Sequence, residues 1–421
     1  MNKTKKNTKP AVRSIIVQRH PTLPLQLGSI KIGGGAPISV QTMTKTLTRN
    51  AEATIKQILE LEQAGCDIIR VAVPDMEAAR AISPIRRAIH IPLVADIHFD
   101  YRLALAAIAG GADGLRLNPG NIGSKLKIRE VVKAAAEKNL PIRIGVNSGS
   151  LEKDILAKHG AATAHALVES ALRHARILED LGHHAIKISV KASDVNRTVE
   201  AYRLLSKATD YPLHLGVTEA GTLINGAVRS SIALGILLAE GIGDTIRVSL
   251  SAPPANEVRV GREILRSLGL GAGGINVIAC PTCGRAQMDV MKLARAVEEE
   301  LEKLEIKESE KTATIKRGPP PPWKTACFQQ GKDARRRDRG TFAISSKKIK
   351  YPQIKKWPTV AVMGCVVNGP GEAREADIAL VCGKNQVFLY IAGTKVAVLD
   401  AKSAPAVVAQ KALEFCSRNL T

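Results

Sequence analysis

Short apolar runs alternate with helical stretches along the first two-thirds of the chain. The runs occupy residues 38–43, 67–73, 92–98, 114–118, 142–147, 185–190, 213–218 and 245–250. Between them, segments such as 55–64 and 103–109 carry alanine and leucine at helical spacing. Strand alternating with helix predicts a parallel sheet. Eight such units in about 250 residues predict an α/β fold of the (β/α)8 TIM-barrel type over residues 22–270. An open doubly wound sheet is the competing architecture. It should carry a glycine fingerprint after its first strand, whereas Gly33, Gly34 and Gly35 precede that strand and read as a turn.

The pattern changes after residue 270. A glycine-bearing loop leads to Cys280, and a helix follows with Val290, Leu293, Val297, Leu301 and Leu304 on one face. Residues 359–399 alternate short β-like runs with glycines. Residues 271–302 and 358–421 are therefore expected to form a second, smaller α/β domain. A segment over 303–357 interrupts it, with 16 Lys/Arg against 5 Asp/Glu, a balance of +11. That is half of the formal net charge of +22. With Pro319–Pro322 and Arg335–Arg337 it reads as a solvated, flexible insert. Residues 1–21 read as a basic flexible tail, with a transit peptide as the alternative.

Polar residues sit two apart within the strand runs, which puts each pair on one strand face. Asp96 pairs with His98, Arg116 with Asn118, Lys187 with Ser189 and Arg247 with Ser249; Arg143 and Asn147 stand at twice that spacing. Arg70 lies in the second run, and Thr218 and Glu219 end the seventh. Four arginines and a lysine at comparable points of five strands would converge on one pocket. Their mutual repulsion calls for an anion, and arginine's fork suits phosphate oxygens. The expected ligand is a diphosphate. The plainer alternative turns these cations outward to pair with acids on the helices.

Seven cysteines, with no export signal in view, indicate a reducing, cytoplasmic setting. Cys66, Cys382 and Cys416 read as packing residues, and Cys327 as a thiol of the insert. Cys280-Pro-Thr-Cys283 could bind zinc, bind an iron–sulfur cluster or act as a redox dithiol. No two further ligands follow at zinc spacing. The next is Cys365, in Gly364-Cys365-Val366-Val367-Asn368-Gly369-Pro370-Gly371-Glu372. Three thiolates leave one iron of a four-iron cluster open, and Glu372 is the nearest candidate for a displaceable fourth ligand.

The motifs at Cys280–Arg285 and Gly364–Ala373 resemble those of the 4-hydroxy-3-methylbut-2-enyl diphosphate synthase family of the methylerythritol phosphate route to isoprenoids. Gln41-Thr42-Met43, Asp96-Ile97-His98-Phe99, Arg116-Leu117-Asn118-Pro119-Gly120-Asn121 and Gly216-Val217-Thr218-Glu219-Ala220-Gly221 agree in order. The resemblance implies a 4Fe-4S cluster on Cys280, Cys283, Cys365 and Glu372. It implies reductive opening of 2-C-methyl-D-erythritol 2,4-cyclodiphosphate, with two electrons from flavodoxin or ferredoxin. Arg70, Arg116, Asn118, Arg143, Asn147, Lys187, Arg247 and Ser249 would bind the diphosphate, and Asp96, His98, Thr218 and Glu219 would lie near the hydroxyls. Glu219 and Glu372 are the candidates for general acid. The resemblance also implies a homodimer in which the cluster domain of one subunit caps the barrel of the other.

The chain departs from the family's pattern in the 82 positions that separate Cys283 from Cys365. The basic insert between them is expected to help dock an acidic electron donor. Two rival readings remain: a barrel enzyme with structural zinc on the same cysteines, and a nucleic-acid-binding module built on the insert. Only 3% aromatic residues weigh against stacking recognition of single strands.

Overall fold

The computed structural model describes residues 18–271, 274–317, 356–365, 367 and 369–419, with side chains as far as 305 in the helix that ends at 317. The chain divides into two compact units, residues 1–272 and 273–421. Residues 318–355 of the expected insert over 303–357, Cys327 among them, and residues 1–17 of the expected tail over 1–21 lie outside the described residues. No helix among the described residues is long and apolar enough to cross a membrane.

The first unit opens with an antiparallel hairpin, β1 (Leu25–Leu27) and β2 (Ile30–Ile32). Eight parallel strands follow: β3 (Ser39–Met43), β4 (Ile68–Ala72), β5 (Leu93–Asp96), β6 (Gly114–Leu117), β7 (Ile142–Asn147), β8 (Ile186–Lys191), β9 (His214–Leu215) and β10 (Thr245–Ile246). They pair in chain order, β10 returns to β3, and a parallel bridge from Ile188 to Leu213 joins β8 to the start of β9. This is the TIM-type barrel. The last two strands are shorter than the apolar runs predict. After Ile246 the backbone leaves the ladder, Leu250 N donating to the Glu257 carboxylate at 3.0 Å and Ser251 N to Gly221 O at 2.9 Å.

The helices start where short polar side chains accept a backbone amide. Asn50, Asp75, Asp100, Thr163 and Asp194 each cap one in this way. The main hydrophobic cluster lies between these helices and the outer face of the sheet, and includes Val40, Ile69, Val71, Leu115, Ile142, Ile144, Ile188 and Val190.

The inner face is different. Directly paired residues of parallel strands share a face, so the register places Gln41, Ile68, Arg70, Val94, Asp96, Arg116, Arg143, Lys187 and Ser189 inside. Only the end nearest the hairpin is apolar, where Leu25, Leu27 and Ile32 close over Ile68 and Val94. A TIM barrel is usually filled by branched apolar layers; here the middle and upper layers are polar.

The second unit is a five-stranded sheet in the order β11 (Asn276–Ala279), β12 (Thr359–Met363), β13 (Ile378–Cys382), β14 (Val387–Ile391), β15 (Thr394–Leu399). The first three strands are parallel and the last three form an antiparallel meander. One face packs Val360, Val362, Ile378 and Leu380 against Val290, Leu293, Val297 and Leu301 of the helix Val290–Arg317 and Val408 and Ala412 of the helix Ala404–Arg418. On the other, Ala361, Met363, Ala379 and Val381 cover Ala373 of the short helix Gly369–Glu375. The helix Val290–Arg317 continues past residue 303, where the basic segment begins.

Candidate functional site

Asp96, Arg116, Arg143 and Lys187 are neighbours in one row across β5, β6, β7 and β8. All four are buried, and so is Arg70 on β4. Asp96 is the hub. Its Oδ1 lies 3.2 Å from Arg116 Nη1 and 3.6 Å from His98 Nε2, and its Oδ2 lies 3.6 Å from Arg70 Nε. Burial works to raise the Asp96 carboxyl, but Arg70, the His98 contact and Arg116 outweigh it and hold it well below the usual carboxylate range. Arg116 Nη2 also donates to Gly145 O at 2.8 Å. Two glycines make room for cations, Arg116 of this row and Lys191 four residues beyond Lys187 on β8. A Cβ at Gly145 would lie 2.5 Å from Arg116 Nε, and one at Gly216 would lie 2.6 Å from Lys191 Nζ.

The cations outnumber the acids. Arg70, Arg116, Arg143, Lys187, Lys191 and Arg247 face Asp96 and Glu257. Burial, reinforced by neighbouring cations, pushes Arg143 and Lys191 well below their usual values, Arg70 down to about 10 and Lys187 down to about 7. Arg143 Nη1 donates to Ser189 Oγ at 2.6 Å, but its Nε and Nη2 meet no protein acceptor. The same holds for Arg116 Nε, Arg247 Nε and Lys187 Nζ. Buried donors of this kind are costly without a partner, and an anion supplies one.

The other expected residues surround this core. Asn118 follows β6 and accepts the Gly145 amide at 2.9 Å. Asn147, half-buried at the end of β7, stands opposite Lys191 in the ladder. His98 is exposed at the mouth, and a cavity of about 210 Å³ there is lined by His98, Phe99, Arg116, Asn118, Asn121 and Asn147 among others. Thr218, Arg247 and Ser249 are half-buried, and Glu219 is exposed with φ +51°. Lys187 sits lower, beside a cavity of about 10 Å³ that Leu27 and Val94 also line.

Lys191, Glu257 and His214 were not singled out from sequence. Lys191 has the strand-face signal, two residues beyond Ser189, but lies outside the apolar run. Glu257, from the helix Pro254–Ser267, is almost fully buried. Its Oε2 accepts from Thr42 Oγ1 at 2.5 Å and lies 3.7 Å from Arg247 Nη2, and its Oε1 lies 3.8 Å from Lys45 Nζ. His214 is buried, with Nδ1 2.8 Å from Thr245 Oγ1, and burial among Lys191, Arg143 and Lys187 keeps its pKa well below the ordinary histidine value. His183 stands before a strand, where a surface position is the ordinary reading, yet it is buried, because the chain folds back after the helix Ala164–Glu179 with His183 N bonded to Leu178 O at 2.9 Å.

In the second unit, Cys280 and Cys365 follow the adjacent parallel strands β11 and β12, so both loops leave the same sheet edge. Cys280 N donates to Val362 O at 2.9 Å. A Cβ at Gly364 would lie 3.5 Å from Cys280 Sγ, so a side chain just before Cys365 would meet that sulfur. Cys283 is exposed, and Thr282 before it has φ +65°. Such a conformation in a non-glycine residue is strained and concentrates at functional loops. Glu372 is exposed on the helix Gly369–Glu375. Among the described residues no three His, Cys, Asp or Glu side chains are gathered at metal-binding distance. The donor chemistry still fits a thiolate-held iron–sulfur group, since soft ligands emerge from facing loops beside small residues. Cys66, Cys382 and Cys416 are buried, and burial pushes the Cys66 thiol up to about 12 and the Cys382 thiol up to about 11. They are packing residues.

The GcpE TIM-barrel domain matches residues 22–262, and the GcpE protein C-terminal domain matches residues 339–413. A protein of Geobacter sulfurreducens is 50% identical over 390 residues, covering 92% of this chain and 96% of its own length. One of Clostridium acetobutylicum is 50% identical over 377 residues, covering 90% and 94%. One of Caldanaerobacter subterraneus is 51% identical over 379 residues, covering 90% and 93%. All three bear the name 4-hydroxy-3-methylbut-2-en-1-yl diphosphate synthase (flavodoxin). Among solved structures, Yersinia pestis dihydropteroate synthase aligns with TM-score 0.44 at 13% identity over 59% of this chain and 98% of that one, too loose a likeness to bear on function.

Proposed function

The chain belongs to the GcpE family, and from that premise we propose that it makes (E)-4-hydroxy-3-methylbut-2-enyl diphosphate in isoprenoid biosynthesis. The substrate is 2-C-methyl-D-erythritol 2,4-cyclodiphosphate. Its ring C–O bond opens and one hydroxyl departs as water, with two electrons and two protons consumed. The observation that carries this reading is the buried cation set inside the barrel, whose unpaired donors suit a diphosphate.

Each set of residues has a defined task. Arg70, Arg116, Arg143 and Arg247 offer forked donors to the phosphate oxygens. Asn118, Asn147, Ser249 and Lys187 extend that set, and Lys191, level with Asn147 in the ladder, joins it. Asp96 fixes the guanidinium groups of Arg70 and Arg116, and His98, 3.6 Å from its Oδ1 and exposed, would meet a hydroxyl at the mouth. Glu257 holds Arg247 on the opposite side. Thr218 and Glu219 stand near the hydroxyls, and Glu219 and Glu372 are the candidate general acids for the departing water. Cys280, Cys283, Cys365 and Glu372 would hold a 4Fe-4S cluster. When bound, it supplies the reducing electrons, and its non-thiolate iron can polarise an oxygen.

The electron donor is flavodoxin or ferredoxin, as the relatives' names suggest for the former. The working form is a cytoplasmic homodimer, with the cluster domain of one subunit capping the partner's barrel. None of the six cysteines described is in a disulfide, which suits a reducing compartment.

Anaerobic turnover of the cyclodiphosphate with a strong one-electron reductant tests the whole reading. Wild-type protein should be brown and active. Cys365→Ser should lose turnover while its barrel still binds the cyclodiphosphate. A colourless, zinc-loaded wild type without turnover refutes the proposal in favour of a structural zinc.

A further inference from the structure

We propose that His174, which no substrate atom would touch, is a positioning residue that clamps the Pro119–Ile122 turn and so sets Asn118 and Asn121 at the barrel mouth. The inference rests on the diphosphate-binding reading for its consequence, though not for its geometry. His174 lies on the helix Ala164–Glu179 and is buried. Its Nδ1 accepts the Gly120 amide at 3.1 Å, so this nitrogen carries no proton. The proton is on Nε2, which lies 3.1 Å from Glu152 Oε1, close but poorly aligned for a hydrogen bond. The other Glu152 oxygen accepts from Ser170 Oγ at 2.7 Å. Burial lowers the His174 pKa against the pull of Glu152, with Arg173 adding to the lowering.

Buried Pro119 and Ile122 anchor the turn at its two ends, and the His174 bond holds its middle. It is a single helical turn, and one turn has no independent stability. Its N-cap, Asn118, makes no side-chain cap bond, because its Oδ1 is used on Gly145 N of the neighbouring strand β7. Gly123 ends the turn at φ +109°. The contact with His174 is closed, since a Cβ at Gly120 would lie 2.6 Å from His174 Cε1. Asn118 and Asn121, on either side of Gly120, both line the mouth cavity. A histidine outside the pocket thus fixes two amides inside it, through one backbone hydrogen bond.

Two substitutions separate this role from bulk packing. In His174→Asn the amide oxygen can stand where Nδ1 stood and still accept from Gly120 N. In His174→Gln the amide reaches toward the Nε2 position and that acceptor is lost. In the full-length holoenzyme, hydrogen exchange of the peptide spanning 118–123 should quicken by about tenfold in His174→Gln and stay near wild type in His174→Asn. KM for the cyclodiphosphate should rise by about tenfold in His174→Gln, with kcat changed less, and recover in His174→Asn. Equal impairment of both variants in exchange and KM overturns the inference and leaves His174 as filler. Unchanged exchange in His174→Gln overturns it too. A wild type that fails to bind the cyclodiphosphate overturns the functional reading and the positioning role with it. Quickened exchange with normal KM overturns the positioning role alone.

Discussion

Lys187 and Lys191 lie on one face of β8 four residues apart, and both are buried among cations. Each costs folding energy that a bound anion offsets. Replacing Lys191 with Met should therefore raise the melting temperature of the ligand-free protein. It should also weaken cyclodiphosphate binding by about 1.5–3 kcal/mol, roughly tenfold to a hundredfold, as expected for a charge-assisted hydrogen bond. Calorimetric titration beside thermal melts checks both signs, and a melting temperature that falls would contradict the strain argument. Lys187 adds a pH signature. Its folded pKa is pushed down to about 7, while the unfolded chain titrates near 10.4. The unfolded state binds more protons between those values, so this group's contribution to stability increases as pH rises from about 7 to about 10. Lys187→Met should then stabilise the protein most at pH 7 and progressively less toward pH 10, in melts recorded across that range. The resemblance pointed to Lys187 alone. Lys191 escaped because the apolar run ends at Val190, one residue short of it, and a run defined by hydrophobicity stops where the strand begins to serve the pocket.

Whole elements were easier to read than single side chains. All eight barrel runs became strands, because alternation with helices is a long-range pattern that no single residue can spoil. The two shortest strands, β9 and β10, end just before the Arg247 side chain and the Leu250 amide turn toward Glu257. That partner sits on the next helix and is invisible to a strand pattern. The adjacency of the Cys280 and Cys365 loops was equally hidden, since it depends on β11 pairing with β12 across some 80 intervening residues. Inner-face glycines are the element-scale feature with the clearest consequence. Gly145 is in the middle of β7, and its missing Cβ is what lets the Arg116 guanidinium lie across the strand. Gly145→Ala would place a methyl 2.5 Å from Arg116 Nε, with Asp96 and the Gly145 carbonyl both holding that group in place. Overpacking of this kind costs about 1–3 kcal/mol. The variant should melt lower and lose affinity for the cyclodiphosphate together, whereas alanine at Gly149, with nothing within 4 Å of its Cβ, should change neither.

At the scale of the whole molecule, the helix Leu223–Ala239 stands out. Its inner face buries Ala233, Leu234, Leu237 and Leu238, yet Ile224, Val228, Ile232 and Ile236 recur every four residues and are exposed. An exposed apolar stripe on a helix already buried along its other face calls for a cover. The proposed homodimer supplies a second copy as the cover. Val228→Asp with Ile232→Asp should shift the protein from dimer to monomer in sedimentation velocity, and a wild type that is already monomeric at micromolar concentration would remove the proposal. The domain exchange implied by the dimer has a sharper test. Arg143→Ala disables a barrel and Cys365→Ser disables a cluster domain, and each homodimer should be inactive. In a mixed dimer with cross-subunit capping, one site joins both intact parts and the other joins both damaged ones. Random mixing makes half of the dimers mixed, so about a quarter of wild-type turnover should return after co-refolding or co-expression. If each barrel is instead served by its own chain, every site in the mixed dimer carries one lesion and no turnover returns. The stripe on the helix 223–239 would then mark a dimer whose two active sites work apart.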